Sequence, residues 1–592
     1  MRRLSDTPLL RRCGMTIDAM QAQVRIAATR QPRVRGAVPT LAWHFFSCFF
    51  AGEQAQSVFR PATLAMQIAG GLGVPPALLM LCLIASYDGT MPWGQLRSPW
   101  LQAGDHFALI TYTCTVVGMV AVLSWERFLP TLLDARVLAF ESRWRLFLAK
   151  SLAMGLFLGA FLFGATVPAA IATVGVANTH HTTHQFLVHL FAAWTAGIFT
   201  ATACMSLLAV ATLLPPAPRR VVAPLLQATL IAALLLFLFA APAMSATLPA
   251  LVRSHSLLTR LAPPFWFTGI YESLLDPVGL GRSFASLAIR GGMATLMSIA
   301  LFTLLYPLTY GRTARRLLEG DGAHPVRTGS VAAWTARLLA WYTPRPRQRA
   351  AVHLLNTTLL RVQRLRACAI FAACAGLALA VATLAHPHIL RGWPFVRLAP
   401  RSPVAVTCLF LCIAVGVLRL LVSSRLLPKA AWIFDCTIGR ADPGISSGVR
   451  RWMLAAACFA GAPVLAALLW MLPTIPVTGA RLARALVVLF AMCLLLVELL
   501  FHGFREIPFC SQGLRRSALP AFGLAYLFVI LPLSVALLRH VEPALSTNWI
   551  RTVLLFAAAA AVHVALKQRR SRERPLMLRE EADEEPFQRL GL

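Results

Sequence analysis

Leu123–Lys150, LSWERFLPTLLDARVLAFESRWRLFLAK, is a short charged interruption between two long apolar segments, Phe107–Leu129 and Leu148–Val176. The acid-base pair Glu126-Arg127 closes the first segment. A run containing Leu132, Leu133, Leu138, Ser142, Arg143 and Arg145 follows, and Lys150 stands where the second segment begins. An α-helix rises about 1.5 Å per residue, so each flank is long enough to cross roughly 30 Å of hydrocarbon. Two membrane helices joined by a compact polar loop is therefore the first expectation, and the rest of the chain extends the pattern.

The chain has 592 residues, is 58% hydrophobic and only 13% charged, and has a mean hydropathy of +0.68. A soluble domain of this size carries about a quarter charged residues. The net charge of +32 suggests a nucleic-acid binder at first sight. Its distribution argues against one, because most of the arginines flank apolar segments, where they anchor helices at anionic headgroups. Only Lys150, Lys429 and Lys567 are lysine. The 13 cysteines are scattered, mostly within apolar segments, and no Cys-x-x-Cys occurs, so neither a disulfide framework nor a zinc site is expected. Residues 1–40 hold arginines but no apolar core of a signal peptide, and read as a basic cytoplasmic leader.

In chain order, Leu41–Phe59 is aromatic-rich and too mixed to span, which suits a helix lying in the interface or packed on the next span. Six hydrocarbon-length segments follow: Leu64–Tyr87, Phe107–Leu129, Leu148–Val176, Phe186–Leu214, Val221–Thr247 and Phe284–Tyr310. Between the last two, Pro263-Pro264 interrupts any helix, and the aromatics Phe265, Trp266, Phe267 and Tyr271 suit headgroup depth. Gly311–Arg366 is the longest polar stretch within the chain, with a second interface helix expected at Val352–Arg366. Six more segments complete it: Ala367–Leu384, Val404–Leu421, Met453–Leu472, Ala485–Phe501, Leu519–Leu538 and Trp549–Leu566. The fold class is thus all-α and polytopic, with about twelve transmembrane helices in two six-helix halves. The expected divisions are a leader (1–40), a first membrane domain with its interface helix (41–311), a basic linker (312–366), a second membrane domain (367–566) and a charged, solvated tail (567–592).

Arginine supports this layout. With the N-terminus inside and strict alternation, about forty basic residues fall on the inner side and about ten on the outer, as the positive-inside rule demands. Both termini are then cytoplasmic; the high Ala/Arg and low Lys content suggests a GC-rich bacterial genome, and the expected location is the bacterial inner membrane.

The Glu126–Lys150 loop resembles the cytoplasmic loop after the second helix of ABC-2-type exporter permeases. In that family an ionic helix end is followed by a Leu-Leu step, an amphipathic turn with Ser and Arg, and a Lys entering the third helix. Glu126, Arg127, Leu132, Leu133, Ser142, Arg145 and Lys150 stand at those places, whereas the family's glycine after the acid is replaced by Phe128-Leu129-Pro130. The interface helix before the first span and the broken segment between the fifth and sixth are similar to that family's elbow helix and re-entrant element. The resemblance implies a permease subunit fused in two halves, with these loop residues docking a separate cytoplasmic ATPase. An ordinary basic loop held by headgroups is the alternative.

No lysine stands in a Gly-x-x-x-x-Gly-Lys-[Ser/Thr] loop, so no P-loop chemistry is expected here. The chain reads as a non-enzyme with no cofactor of its own, ATP belonging to the partner. Membrane lipid and the ATPase are the expected partners, and nucleic acid is not one. Substrate and oligomeric state are not legible.

Ionisable residues in the spans are few. Arg419 and Glu498 lie at similar depth and are expected to form an intramembrane ion pair rather than a proton relay. Arg290 is expected to snorkel, and His189 to be a hydrogen-bonded helix residue. Asp105 reads as a helix cap beside His106. His180, His181 and His184 form a polar turn more readily than a metal site, having no carboxylate or cysteine nearby. Phe501–Arg516 is a second possible coupling surface. Two further functions stay open: a twelve-helix ion-coupled transporter, disfavoured by Leu133-Asp134-Ala135-Arg136 lacking the glycine-rich loop of the major-facilitator type, and a membrane scaffold or enzyme without transport activity.

Overall fold

The computed structural model describes residues 37–51, 98–130, 142–177, 182–318, 342–361, 365, 369–371, 373–378, 403–423, 443–471, 479–501, 508–509 and 548–583. Within them the chain is helical, with no strand. The helices are α1 (Ala37–Ala51), α2 (Pro99–Phe128), α3 (Arg143–Ala177), α4 (Thr182–Leu213), α5 (Pro216–Ala246), α6 (Leu248–Arg253), α7 (Leu257–Leu261), α8 (Pro263–Leu275), α9 (Gly281–Leu318), α10 (Pro346–Arg361), α11 (Pro403–Val422), α12 (Pro443–Met471), α13 (Gly479–Leu500) and α14 (Trp549–Asp583).

Eight helices among the described residues are long and apolar enough to cross a membrane: α2 to α5, α9 and α12 to α14. Two shorter apolar helices, Ala369–Ala378 and Val406–Val422, match further expected segments. The expected spans Leu64–Tyr87 and Leu519–Leu538 lie outside the described residues. The protein is therefore an all-α polytopic membrane protein. On α9, Ile289, Met293, Leu296, Met297, Leu304 and Leu308 are exposed along one side, a stripe that belongs against lipid tails.

α2 is the hub of the first helices. The apolar window of α2 is 83% buried, against 11% for α5 and α14, and it packs against α3, α4, α5 and α8. Lipid offers no hydrophobic drive between helices, so small residues set the close approaches. A Cβ on Gly118 would meet Leu234 and Thr200, and one on Gly197 would meet Leu162. Buried hydroxyls turn back on their own helices, as in Thr111 to Phe107 O and Thr200 to Ala196 O, which keeps them satisfied without water. Prolines inside α3, α5, α9 and α12 are accommodated as a membrane bundle allows.

α1 lies against α3 through Ala42, Phe45 and Phe49, with Trp43 on its open side. Spacing of three and four residues puts the buried trio on one face. Between α5 and α9 the chain breaks into three short helices. Ser256 caps α7 by accepting from Thr259 N, and Pro263 occupies the first turn of α8, where its missing N–H costs nothing. The double proline thus ends one helix and begins the next.

The aromatics of α8 face into the bundle. Phe265, Phe267 and Tyr271 are fully buried, packed among α2, α4 and α9, because α8 turns into the bundle. α14 runs on to Asp583, through much of the stretch expected to be a solvated tail.

The second cluster joins α10, α11, α12, α13 and α14. α10 begins at Pro346, earlier than expected, and is pinned to α12 by Trp452 Nε1 to Asn356 Oδ1 at 2.7 Å and Gln348 Nε2 to Ser447 Oγ at 2.8 Å. The Ala369–Ala378 helix reaches the first cluster, with Cys374 Sγ donating to Ala228 O at 3.4 Å.

α8 and α9 touch at Gly269, where a Cβ would lie 2.8 Å from Leu287 Cβ and 2.9 Å from the Ala288 nitrogen. Gly269→Ala is expected to destabilise by about 1–3 kcal/mol, since backbone must move. A thermal melt of the purified protein in detergent checks this; an unchanged transition would show that α8 is loosely held.

Candidate functional site

Two groups of polar side chains occur at opposite ends of α2. The first lies where α2 ends and α3 begins, the place of the quoted loop. The last carbonyls of a helix lack partners within it. Here they are taken from outside: Tyr306 Oη of α9 donates to Phe128 O at 2.8 Å, and Lys150 Nζ donates to Leu129 O at 2.6 Å. Lys150 is 2% exposed, with its ammonium 5.7 Å from the Phe45 ring and 5.6 Å from the Tyr310 ring. A cation at a helix C-terminus, flanked by aromatic faces, is held favourably. Arg127 donates to Phe49 O, tying α1 to the same corner.

This corrects the expectation for Lys150. It is a buried strut joining α1, α2, α3 and α9, not a residue on a docking surface. Glu126 is half-buried, and Arg127, Ser142 and Arg145 are exposed, as is Trp144 at 70%. Leu132 and Leu133 lie outside the described residues. Glu126 acts on Arg219 at the foot of α5: burial and then Arg316 lower the Arg219 guanidinium from its ordinary value, and Glu126 opposes them. Among the described residues, the corner thus carries one acid among several bases.

The second group lies near the start of α2. Asp105 and His106 of α2, Gln185 and His189 of α4, and Tyr271 and Glu272 of α8 are all buried. His106 Nδ1 and His189 Nδ1 are 2.8 Å apart, so one imidazole donates and the other accepts. The Tyr271 ring stacks on His106 with centroids 3.6 Å apart. Among the described residues, His189 Nε2 and Glu272 Oε1 have no hydrogen-bond partner. Buried polar atoms are normally satisfied, so this group departs from plain packing. It can share a proton across the imidazole pair, and it offers a buried carboxyl oxygen to a donor.

α2 begins at Pro99 with Ser98 as its cap, so Asp105 sits well inside the helix; the cap reading of Asp105 is corrected. His189 is hydrogen-bonded, as expected, but its partner is on another helix. His184 is exposed in the first turn of α4, and His180 and His181 lie outside the described residues. Among the described residues no group of three or more His, Cys, Asp or Glu is placed to hold a metal. Sequence reading had Asp105, His106, His189 and Tyr271 in hand separately. Gln185 and Glu272 were missed: the inward turn of α8 sets Tyr271 against Gln185 and buries Glu272.

The expected Arg419–Glu498 pair gives way to other partners. Glu498, 3% exposed, is bound by Arg570 and by His563 Nδ1 at 2.7 Å, both from α14. Arg419 instead serves the end of α13: its Nε donates to Leu500 O at 3.0 Å and its guanidinium stands over the Phe501 ring. Arg450 donates to Phe501 O at 3.0 Å. The ends of α2 and α13 are thus both closed by side chains from neighbouring helices, with a cation at each. Of Phe501–Arg516, only Phe501, Pro508 and Phe509 are described. Phe509 is buried with φ 63, its N–H on Val422 O.

Comparison with protein families, curated proteins and solved structures finds no match to this chain. The class that the fold defines is a helical, polytopic membrane protein, and the two polar groups are its candidate sites.

Lys150→Met leaves Leu129 O buried without its donor and is expected to cost about 1–3 kcal/mol, read as a lowered melting transition. Arg570→Ala strands most of the Glu498 charge and is expected to cost about 2 kcal/mol or more. Adding Glu498→Gln to Arg570→Ala should restore part of that loss. Additive losses in the double variant would show that the two residues do not act as a pair.

Proposed function

We propose that this chain is the membrane permease subunit of an ABC-type exporter, energised by a separate cytoplasmic ATPase. The observation that carries the reading is the break of the chain into α6, α7 and α8 between two long helices, with α8 folded back into the bundle. A helix interrupted at this place is what the resemblance to ABC-2-type permeases implies. α1, packed on α3 like an elbow, supports the same reading. In this proposal the α1 end of the bundle faces the cytoplasm of a bacterial cell, as the arginine distribution requires. The ATPase docks on the loop between α2 and α3. Its described contact residues are Glu126, Ser142, Trp144 and Arg145; Arg127 and Lys150 hold the loop's base in place. Trp144 gives the surface an aromatic anchor of the kind interfaces favour.

Ion-coupled transport is the second reading. It is favoured by the buried His106–His189 pair and by the buried carboxyl of Glu272 on α8, since ionisable groups at such positions commonly mark proton or ion paths.

Affinity purification of the tagged chain from its native cells discriminates between the two. An ATPase is expected to co-purify, and Glu126→Ala combined with Trp144→Ala is expected to reduce its recovery at least about tenfold, the loss of one interface hot spot. Recovery of the chain without any ATPase, together with substrate flux abolished by a protonophore, would replace the exporter reading with the ion-coupled one.

A further inference from the structure

At the end of the bundle away from α1, a groove opens between α6, α7 and the first turns of α9. Its polar lining is His255, Thr259, Arg260, Ser283, Ser286 and Arg290, over a floor that includes Leu287. Among the described residues no carboxylate lines it. Among the described residues neither Arg260 nor Arg290 makes a salt bridge. Ser283, Ser286 and Arg290 stand at spacings of three and four on α9, so one helix face presents two hydroxyls and a guanidinium together. Across the groove, α7 supplies Arg260 and the turn before it supplies His255, held at φ 46 with its N–H on Val252 O. Two permanent cations, an imidazole and the hydroxyls of Ser283 and Ser286, with no acid among the described lining residues, form a set of donors suited to a phosphate, while the Thr259 hydroxyl donates to Ser256 O.

The surroundings say where that phosphate comes from. Directly beyond Arg290 along α9, Met293, Leu296 and Met297 are 67%, 71% and 72% exposed, and Ile289 is 65% exposed beside it. On α7, Leu257 and Leu261 are 72% and 66% exposed. The cationic groove is therefore the upper rim of a continuous aliphatic surface. A free anion would use the rim alone; an amphiphile uses both. We propose that this groove is a binding site for an anionic phospholipid, whose phosphate sits between Arg260 and Arg290 and whose acyl chains lie on Met293, Leu296 and Met297. Arg290 then reaches the interface as expected for a snorkelling arginine, but with a ligand in place of bulk headgroups. The proposal depends on the membrane fold and not on the exporter reading.

Native mass spectrometry of the full-length protein in detergent, titrated with phosphatidylglycerol or phosphatidylcholine, tests this. Arg260→Gln/Arg290→Gln is expected to weaken phosphatidylglycerol binding at least about tenfold, as loss of charge-assisted hydrogen bonds implies. Phosphatidylcholine binding is expected to stay unchanged, as is phosphatidylglycerol binding to Arg282→Gln, an exposed arginine at the same end but outside the groove. Arg260 and Arg290 are exposed, so the lipid-free melting transition of the double variant should match the parent. Should it fall, the single variants carry the test, each expected to weaken phosphatidylglycerol several-fold. Retention of phosphatidylglycerol within twofold in the variants would overturn the site. Thermal protection by inorganic phosphate equal to that by phosphatidylglycerol, lost in the same variant, would overturn the lipid assignment and leave a soluble-anion site.

Discussion

A helix in hydrocarbon must satisfy its own backbone, and its ends are where it fails to do so. Much of this structure answers that one constraint. The carbonyls that end α2 are met by Tyr306 and Lys150, and those that end α13 by Arg419 and Arg450. Arg312 reaches Leu213 O at the end of α4. Each of these bonds comes from a helix other than the one it closes, so closing an end also joins the bundle. The scarce cations near the spans are spent largely on carbonyls, and only secondarily on acids.

The same constraint separates the two polar groups by character. At the α1 end, charge is abundant and mostly employed: Lys150 and Arg127 hold backbone, while Glu126, Arg219 and Arg316 act on one another. At the other end, the imidazole pair and Glu272 are buried with atoms left over. Leftover polar atoms inside a bundle are costly, and a structure retains them where something else is to be bound or moved. The first group closes the end of α2, and the second is a polar cluster within the bundle. The groove beside α7 is a third type, cationic and open to the membrane rim.

Glu498 shows how packing overrules proximity in sequence pattern. Its depth suggested Arg419, because both lie near the end of a span. The buried face of α13 turns the carboxyl toward α14, where Arg570 and His563 meet it, and leaves Arg419 at the helix terminus. Depth along a helix is a one-dimensional quantity. Which face of each helix meets which neighbour is not contained in it.

What the sequence determined by itself was whatever depends on length and period. Apolar runs of hydrocarbon length became helices such as α2, α4 and α9, the mixed aromatic run became α1, and the double proline placed the break before α8. These follow from local chemistry: twenty apolar residues have one stable form in lipid, and proline cannot continue a helix. Tertiary structure alone decided the direction in which α8 turns. That turn buried Phe265, Phe267, Tyr271 and Glu272, brought the Tyr271 ring onto His106 of α2, and left Arg260 and Arg290 lining one groove. Lys150 read as a surface handle for the same reason that it proved to be an internal strut: a lysine at a helix start is drawn equally to water or to an unpaired carbonyl, and only the neighbouring α2 terminus supplies the carbonyl.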